Sequence, residues 1–450
     1  MSPYQLLICF VLFLLTLTSA NAESLLQLWA QVVENNPTLK GSEYAVEEAR
    51  AQQDQALAKL LPNVSINSYY SFNNYNPNAM ATGFQPFGGG KTVDYTGYRG
   101  ILQISQPIFD LPSYLRLESA KSQSKQSEQQ ALAQRMQLAY NLVDQYLTVL
   151  EANDSLLQLE AELAATQAQL KSMRMMREHE LASSTDLYEI EAYAESLNST
   201  QLEAQHQKAI ATEKIRKLTG TVMQTADPLT QNEFPEVKRS VDEWVQEALS
   251  ANPQLLALQY ATESAQSMRG SALAGHLPTA SISANEIYAN TSYNNLQSSS
   301  TYNVGSLYLN LNIPIYAGGG IEAGEREAAS KFQMSREKIE ETRRSIEEDT
   351  RTAWLNVVSG HTRIASSKKE AVFREQAKIG KERSYQLGVS TIIDVLDAQK
   401  RLLKARTDYF KARYEFIRNL IRLRLNAGSF ADLDLESIAP WFGNPIKLEE

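Results

Sequence analysis

Few residues of this chain have types and spacings that could do chemistry. Asp394 and Asp397 stand three apart in a helix-forming stretch, so their carboxylates share one helix face and could attract a cation. An isolated Asp-x-x-Asp pair is more often a solvated helix face, so the pair alone leaves both interpretations open.

Other reactive or ligating types are interpreted as packing or surface residues. The histidines lack metal-ligand spacing, the methionines near residue 175 suit packing, and a glycine triplet after the last strand suits a strand-to-helix joint. These residues are His179, His206, His276, His361, Met173, Met175, Met176 and Gly318 to Gly320. No Ser-His-Asp or catalytic acid-pair motif stands out, so neither an enzyme nor a cofactor is predicted.

The chain of 450 residues begins with an uncharged, apolar segment. Its apolar run ends at Leu17 and is followed by the small-x-small site Ala20-Asn-Ala22, which predicts a signal peptide over 1-22. The one cysteine, Cys9, would leave with that segment. The exported chain is therefore expected to have no disulfide, no thiolate metal site and no lipid-anchored N-terminus.

Charge and hydropathy argue against a nucleic-acid-binding protein and against a protein with transmembrane helices. The net charge is −9 and no basic run occurs, which argues against nucleic acid as a partner. After the leader, no stretch reaches roughly 18 apolar residues, so no transmembrane helix is expected. Because lipid cannot satisfy backbone polar groups, the chain could cross a membrane only as part of a closed β-barrel.

Two segments of the chain repeat one order of landmarks, which indicates an internal duplication. The matching pairs are Asn36-Pro37 with Asn252-Pro253, Leu61-Pro62 with Leu277-Pro278, Leu102 to Phe109 with Leu309 to Tyr316, and Gly220 with Gly428.

The duplication sets the predicted domains. The first repeat covers 23-220 and the second 241-428, joined by a linker over 221-240. Each repeat is predicted to form a helix, a β-hairpin, a long helix, a tip turn and a further helix, in that order. The hairpins are predicted at 64-108 and 279-315, and the tip turns at 180-186 and 387-393. The C-terminal tail, 429-450, is expected to pack loosely.

The second hairpin alternates most clearly, with Leu307, Leu309 and Leu311 on one face and Tyr308 and Asn310 on the other. This pattern suits a lipid-facing strand with a wet lumen, and it suits a half-buried soluble hairpin equally. The loops between paired strands, rich in Asn, Gly and Pro, favour the membrane interpretation.

Four strands cannot close a barrel, and each backbone group left unpaired at an edge would cost several kcal/mol in lipid. Several copies must therefore complete one barrel. About 70 helical residues follow each hairpin, or about 105 Å, with apolar residues in an intermittent 3-4 pattern. That pattern predicts helices packed side by side in an antiparallel coiled-coil wall. The predicted fold class is therefore α+β.

The motifs, in this order, resemble the TolC family of outer-membrane efflux proteins over essentially the whole exported chain. They are Asn35-Asn-Pro-Thr-Leu, Leu60-Leu-Pro-Asn-Val, Gln106-Pro-Ile-Phe-Asp, His276-Leu-Pro-Thr, Ile313-Pro-Ile-Tyr-Ala-Gly-Gly and Tyr385-Gln-Leu-Gly-Val-Ser-Thr-Ile-Ile-Asp-Val-Leu-Asp-Ala. The resemblance implies a homotrimer whose twelve strands form one barrel in the outer membrane of a Gram-negative bacterium. Its helices would continue through the periplasm as an α-barrel that tapers to a closed tip.

The function implied by the resemblance is an exit duct that is gated at the tip. It would passively conduct substrates from an inner-membrane pump of RND or ABC type, through a periplasmic adaptor, in drug or toxin efflux or in type I protein secretion. The alternative is a soluble periplasmic coiled-coil scaffold or adaptor, which would share the helices but would not need lipid-facing strands.

The resemblance also assigns roles at the tip turns. Tyr385 and Asp186, with Thr185 beside the aspartate, match contacts that hold adjacent helices together. Asp394 and Asp397 match carboxylates that ring the entrance, where a polyvalent cation could plug the pore. Like charges crowded in such rings are expected to raise some of the carboxyl pKa values.

Two positions depart from the family pattern. Ser390 stands at a gate-holding position where the family has an arginine, and Glu180 stands where the first tip turn is expected to have a glycine, as the second has at Gly388. Losing the arginine removes a charge-assisted clamp. We therefore expect either a more weakly held tip or substitution by another cation such as Arg383.

Overall fold

A computed structural model describes residues 24–75, 93–180, 182–231, 233–293, 299–430 and 432–443. Several sequence predictions lie outside the described residues. They are the signal peptide, most of the loop within each hairpin, Leu181 of the first tip turn, and the last residues of the tail.

The helices and strands follow one order twice. The first series is α1 (Leu25–Asn35), α2 (Pro37–Ala58), β1 (Asn63–Tyr75), β2 (Val93–Phe109), α3 (Leu111–Glu178) and α4 (Ser184–Thr219). The second is α5 (Val241–Ala251), α6 (Pro253–Leu273), β3 (Thr279–Tyr293), β4 (Ser299–Asn312), α7 (Gly320–Gln386) and α8 (Ile392–Asn426), followed by α9 (Asp432–Ile438). Four antiparallel strands among long helices confirm the predicted α+β class.

The two longest helices, α3 and α7, have 68 and 67 residues. Pro112 is the one proline of α3, and it lies in the first turn, where the missing N–H has no intrahelical partner to lose. Across the described ranges, no helix has both the length and the apolar character needed to cross a membrane.

The chain divides into two compact units. The first comprises the described residues up to Glu43, together with Gln129–Leu256 and the residues from Glu341 onward. The second comprises Tyr44–Glu128 and Ala257–Glu340.

The core of the first unit forms around α1, α3 and α8. In α1 the residues Leu25, Leu28, Trp29 and Val32 recur at helical spacing and are buried, because they form one stripe of an amphipathic helix. The largest side chains of this core are fully enclosed. They include Leu25, Leu28, Leu142, Tyr146, Leu147, Phe416, Ile417 and Ile421.

The expectation of a loosely packed tail is wrong for residues 429–443. Phe430, Leu435 and Ile438 are at most 1% exposed and belong to the core of the first unit. Phe442 packs edge-on against Tyr146, with ring centroids 5.4 Å apart. The apolar residues of the tail are spaced so that α9 and the turn after it bury one side, and burial of that size outweighs the local proline signal.

An asparagine caps the second helix of each repeat in the same way. The side-chain oxygen of Asn36 accepts from the N–H groups of Thr38 and Leu39 at 2.9 and 3.2 Å, and its Nδ2 donates to the carbonyl of Leu218 at 2.9 Å. Asn252 makes the equivalent bonds in the second repeat, and its Nδ2 donates to the carbonyl of Asn426. The Asn-Pro landmarks therefore combine a helix cap with a link to the end of a long helix.

The sheet of the second unit has the order β1-β2-β3-β4, and each strand is antiparallel to its neighbour. Leu307, Leu309 and Leu311 on one face are 64 to 75% exposed, whereas Ser283 and Ala289 on the opposite face are buried. We name the two faces by this difference in exposure: the side of Ser283 and Ala289 is called the concave face and the side of the three leucines the convex face.

We expect Asn36→Ala to lower the free energy of unfolding by about 2 kcal/mol, because three hydrogen bonds are lost and the partner groups lose their acceptor or donor. The measurement is the urea midpoint followed by circular dichroism. Asn35→Ala is the matched control, since Asn35 is exposed, and its effect should stay within about 0.5 kcal/mol. Equal effects of the two substitutions would contradict the capping role.

Candidate functional site

The second tip turn reverses the chain between α7 and α8. The N–H of Val389 donates to the carbonyl of Ser384 and the N–H of Gly388 to that of Tyr385, both at 2.9 Å, which is a Schellman motif. Gly388 has a φ of 73°, the left-handed region that favours glycine. This turn leaves Tyr385 in the last turn of α7 and Ser390 just ahead of α8.

A capping box begins α8. The Oγ1 of Thr391 accepts from the N–H of Asp394 at 3.3 Å, and the carboxylate of Asp394 accepts from the N–H of Thr391 at 3.1 Å. The hydroxyl of Ser390 donates to the same carboxylate at 2.8 Å. The serine that replaces the expected arginine is thus bound within its own turn.

These donors determine the charge state of Asp394. The hydrogen bond from Ser390 first, and those from Thr391 next, lower the pKa of Asp394 to about 2, and Lys381 adds a positive charge at 3.5 Å. Within one chain the shift is therefore opposite to the rise expected for crowded carboxylates. The cation beside Asp394 is Lys381 of α7 rather than Arg383.

Asp397 lies one turn further along α8 in different surroundings. Its carboxylate pairs with Arg401, four residues on along the same helix, at 2.8 Å. Both side chains are more than half exposed, so the pair contributes little to stability. The two predicted ring carboxylates thus share a helix face but not an environment.

The first tip turn leads into α4. The hydroxyl oxygen of Ser183 accepts from the N–H of Thr185 at 3.1 Å, and Asp186 follows in the first helical turn. Tyr385 is half-buried and lies close enough to Asp186 for the two groups to interact electrostatically. Burial first, and the negative charge of Asp186 second, raise the pKa of Tyr385. The structure thus places Tyr385, just ahead of the second tip turn, near Asp186 at the end of the first.

Glu180 takes the left-handed conformation that Gly388 takes in the other turn. Its φ is 61°, the one positive value at a non-glycine residue among the described residues. Its N–H donates to the carbonyl of Arg177 at 3.0 Å, the same bond that Gly388 makes to Tyr385. A side chain in this conformation costs about 1 kcal/mol, so the first turn keeps the geometry of the second at the expense of strain.

An apolar cluster joins the helices next to both turns. Tyr385 packs against it, and Met173 is buried within it, as predicted for that methionine. The same prediction is wrong for Met175 and Met176, whose side chains are exposed. The buried members are Leu159 and Met173 of α3, Ile190, Tyr193 and Leu197 of α4, and Ile392, Val395 and Leu396 of α8. Burial of this apolar surface favours helices that stay together near the turns.

Three cations near this cluster were not found by sequence reasoning. The sequence does indicate the pairing of Arg401 with Asp397, since the two residues stand four apart on one helix. No sequence pattern indicates the contact between Lys381 and Asp394, because it depends on how α7 and α8 align across the turn. Lys400 lies over the ring of Tyr193, 5.0 Å from the centroid, and no sequence spacing indicates that contact.

The structure gives the histidines no common site. His361 lies with its Nε2 3.0 Å from the carbonyl oxygen of Pro235 and packs edge-on against Phe416. In the part of the chain that the structure describes, no three His, Cys, Asp or Glu side chains are grouped so as to hold a metal ion.

We expect Glu180→Gly to stabilise the first tip turn, because glycine adopts the left-handed conformation without strain and the exposed side chain of Glu180 makes way for it. Trypsin cleavage after Arg177 in the native protein should slow about threefold to fivefold, since cleavage follows the population of the opened turn. Gly388→Ala is the opposite control and should speed cleavage after Arg383. A faster cut in the Glu180→Gly protein would contradict the strain.

We expect the capping box of α8 to persist down to about pH 4 and to be lost between about pH 4 and pH 2. The folded pKa of Asp394 is depressed, so its contribution is present above the unfolded value of about 3.9 and disappears as pH falls through the folded value. Hydrogen exchange at the Thr391 amide, corrected for intrinsic rates, measures this loss. In Asp394→Asn the protection should not depend on pH in that window, and a wild-type loss that begins at pH 6 would contradict the assignment.

Comparison with known proteins agrees with this architecture. The sequence model of the outer membrane efflux protein family matches residues 28–221 and 244–429. Outer membrane protein TolC of Vibrio cholerae is 25% identical over 428 residues, which is 94% of this chain and 95% of that protein. Proteases secretion protein PrtF of Dickeya chrysanthemi is 24% identical over 432 residues, covering 94% of this chain and 92% of that protein.

A solved structure shows the same fold. The CmeC outer membrane channel of Campylobacter jejuni superposes with a TM-score of 0.79 at 16% identity, covering 94% of this chain and 90% of that one. The family model covers both repeats and most of the chain. This outer-membrane protein therefore belongs to the outer membrane efflux protein family.

Proposed function

We propose that three copies of this chain form an exit duct through the outer membrane, which is closed at the tip turns until a pump engages it. The observation that carries the proposal is the four-stranded sheet, whose convex face carries most of its large apolar side chains and whose terminal strands, β1 and β4, each have one open edge. Membership of the outer membrane efflux protein family supports the same conclusion.

The open edges of the sheet support an assembly of several copies. In lipid the outward N–H and C=O groups of β1 and β4 need partners, and the β4 edge of one copy can supply them to the β1 edge of the next. Three copies give twelve strands, the number that the resemblance implies. The convex leucines would face lipid and the concave face would line a water-filled lumen.

The tip turns supply the proposed gate. Tyr385 and Asp186 lie close together beside the two turns of one copy, and the apolar cluster next to them favours helices that stay together. Lys381 and Ser390 hold Asp394 in place of the arginine that the family uses. Because these bonds lie within one turn and its two helices, we propose that they hold each hairpin rigid, while contacts between hairpins decide whether the tip opens.

The role is transport rather than catalysis, and the energy would come from elsewhere. We propose an inner-membrane pump of RND or ABC type as the driving partner, reached through a periplasmic adaptor. The relatives include one named for secretion of proteases, PrtF, as well as TolC, so both efflux and protein secretion fit the family. Expelled drugs and toxins or secreted proteins are therefore the proposed substrates.

The purified protein should be a trimer and should form channels of low resting conductance in planar bilayers. Tyr385→Phe combined with Asp186→Asn should raise the resting conductance several-fold, because the link between the tip turns is lost. Lys381→Met should raise it less, since it loosens only one hairpin.

Controls come from the same helices. Tyr188→Phe removes an exposed hydroxyl near the first turn, and Lys378→Met removes a lysine that pairs with Glu382 at 3.4 Å, so neither should change the conductance. A monomer without channel activity that carbonate strips from membranes would overturn the duct and favour the scaffold. A trimeric channel that none of these substitutions affects would overturn only the proposed gate.

A further inference from the structure

The concave face of the sheet carries an isolated positive charge. From Asn63 to Phe109 and from Thr279 to Asn312 the sequence has four charged residues, Lys91, Asp94, Arg99 and Glu286. Lys91 lies outside the described residues. Arg99 pairs with Ala289 and therefore lies on the concave face. Asp94 is five residues before Arg99 on the same strand, and Glu286 pairs with Leu102, three residues after Arg99. Because alternate residues point to opposite faces, both acidic residues lie on the convex side. Within the described strands, Arg99 is thus the one charged side chain of the concave face.

A row across all four strands fixes the position of Arg99. The register aligns Tyr69 with Arg99, Arg99 with Ala289, and Ala289 with Tyr302. The guanidinium donates to the phenol oxygen of Tyr69 at 3.2 Å and to that of Tyr302 at 2.8 Å. Tyr302 is two strands away, about 9.6 Å, so the arginine must extend over the small side chain of Ala289, which is buried.

The two tyrosines orient the guanidinium but do not neutralise it. Both acceptors are uncharged phenols, and two of the five N–H donors of the group are used. Arg99 is only half-buried, so the remaining donors stay accessible from the concave side. The loop residues that are not described, 76–92 and 294–298, contain no Asp or Glu that could pair with it.

We propose that Arg99, held by Tyr69 and Tyr302, is an anion-binding position on the lumen wall, and that it selects for solutes with carboxylate, sulfonate or phosphate groups. This inference rests on the proposed function, because it requires the concave face to line a lumen. Three copies would place one such position on each third of the wall. The neighbouring concave residues are mostly hydroxyl and amide types, so no other fixed charge there opposes the attraction.

Introduced cysteines can measure this charge without current through the tip, because the chain after residue 22 contains no cysteine. Ile101→Cys lies two residues from Arg99 on the same face, about 7 Å away. In outer-membrane vesicles at about 0.1 M salt, its reaction rate with a sulfonate-bearing methanethiosulfonate, divided by that with the trimethylammonium analogue, is the readout. Adding Arg99→Gln should lower this ratio about threefold, because one positive charge is removed within a Debye length.

Matched variants distinguish an effect of the charge of Arg99 from a structural effect of its substitution. Arg99→Lys should keep the ratio, and about 1 M salt should abolish the difference, since the Debye length falls to about 3 Å. Ser105→Cys lies about 20 Å along the same strand, and Arg99→Gln should not change its ratio. Asn67→Cys, which pairs with Ile101, replaces Ile101→Cys if that variant does not assemble.

The outcomes distinguish the two proposals. A ratio at Ile101→Cys that Arg99→Gln leaves unchanged, while the cysteine remains reactive, would overturn the anion-binding position and leave the duct intact. If Leu102→Cys on the convex face reacts and both Ile101→Cys and Asn67→Cys do not, the concave face lines no lumen, and the proposed function fails with the inference.

Discussion

The backbone groups along the outer edges of β1 and β4 are the constraint on which the rest depends. These strands have 13 and 14 residues, and the sheet gives each of them one neighbour. In water such edges could be hydrated, but in lipid each unpaired group costs several kcal/mol, far more than any side-chain contact at the tip turns contributes. A sheet with two open edges would therefore be incomplete by itself in lipid, which is why we propose that other copies complete it.

Sequence periodicity predicted the elements better than the contacts between them. The alternation around Leu309 and the scarcity of proline after Ser113 depend on neighbouring residues only, so strands and long helices could be predicted. The Nδ2 of Asn36 donates to the carbonyl of Leu218, and the hydroxyl oxygen of Tyr146 accepts from the N–H of Asp227 in the linker. No local pattern encodes contacts between residues so far apart in sequence. The packed tail was missed for the same reason, because Phe442 is buried by side chains far away in sequence.

The two predicted repeats are alike at some positions and differ at others. The capping asparagines, Asn36 and Asn252, make matching bonds of nearly equal length. At the tip turns the first repeat has a strained Glu180 and a single serine cap, whereas the second has Gly388 and a full capping box. Since a cap contributes about 1 kcal/mol and the left-handed residue costs a similar amount, the first turn should open more readily than the second. The proposed trimer would then have two kinds of hairpin at its tip.

The surroundings of the entrance carboxylates limit what a cation could do there. Asp394 already accepts bonds from Ser390 and Thr391 and lies near Lys381, and Asp397 is paired with Arg401. A polyvalent cation that ligated these oxygens directly would have to displace those donors, and two nearby positive charges would oppose it. Ionised Asp394 still contributes to the long-range field, because its depressed pKa keeps it charged at every physiological pH. If the tip turns form the entrance, as we propose, these carboxylates are better suited to attracting cations to it than to holding one there as a plug.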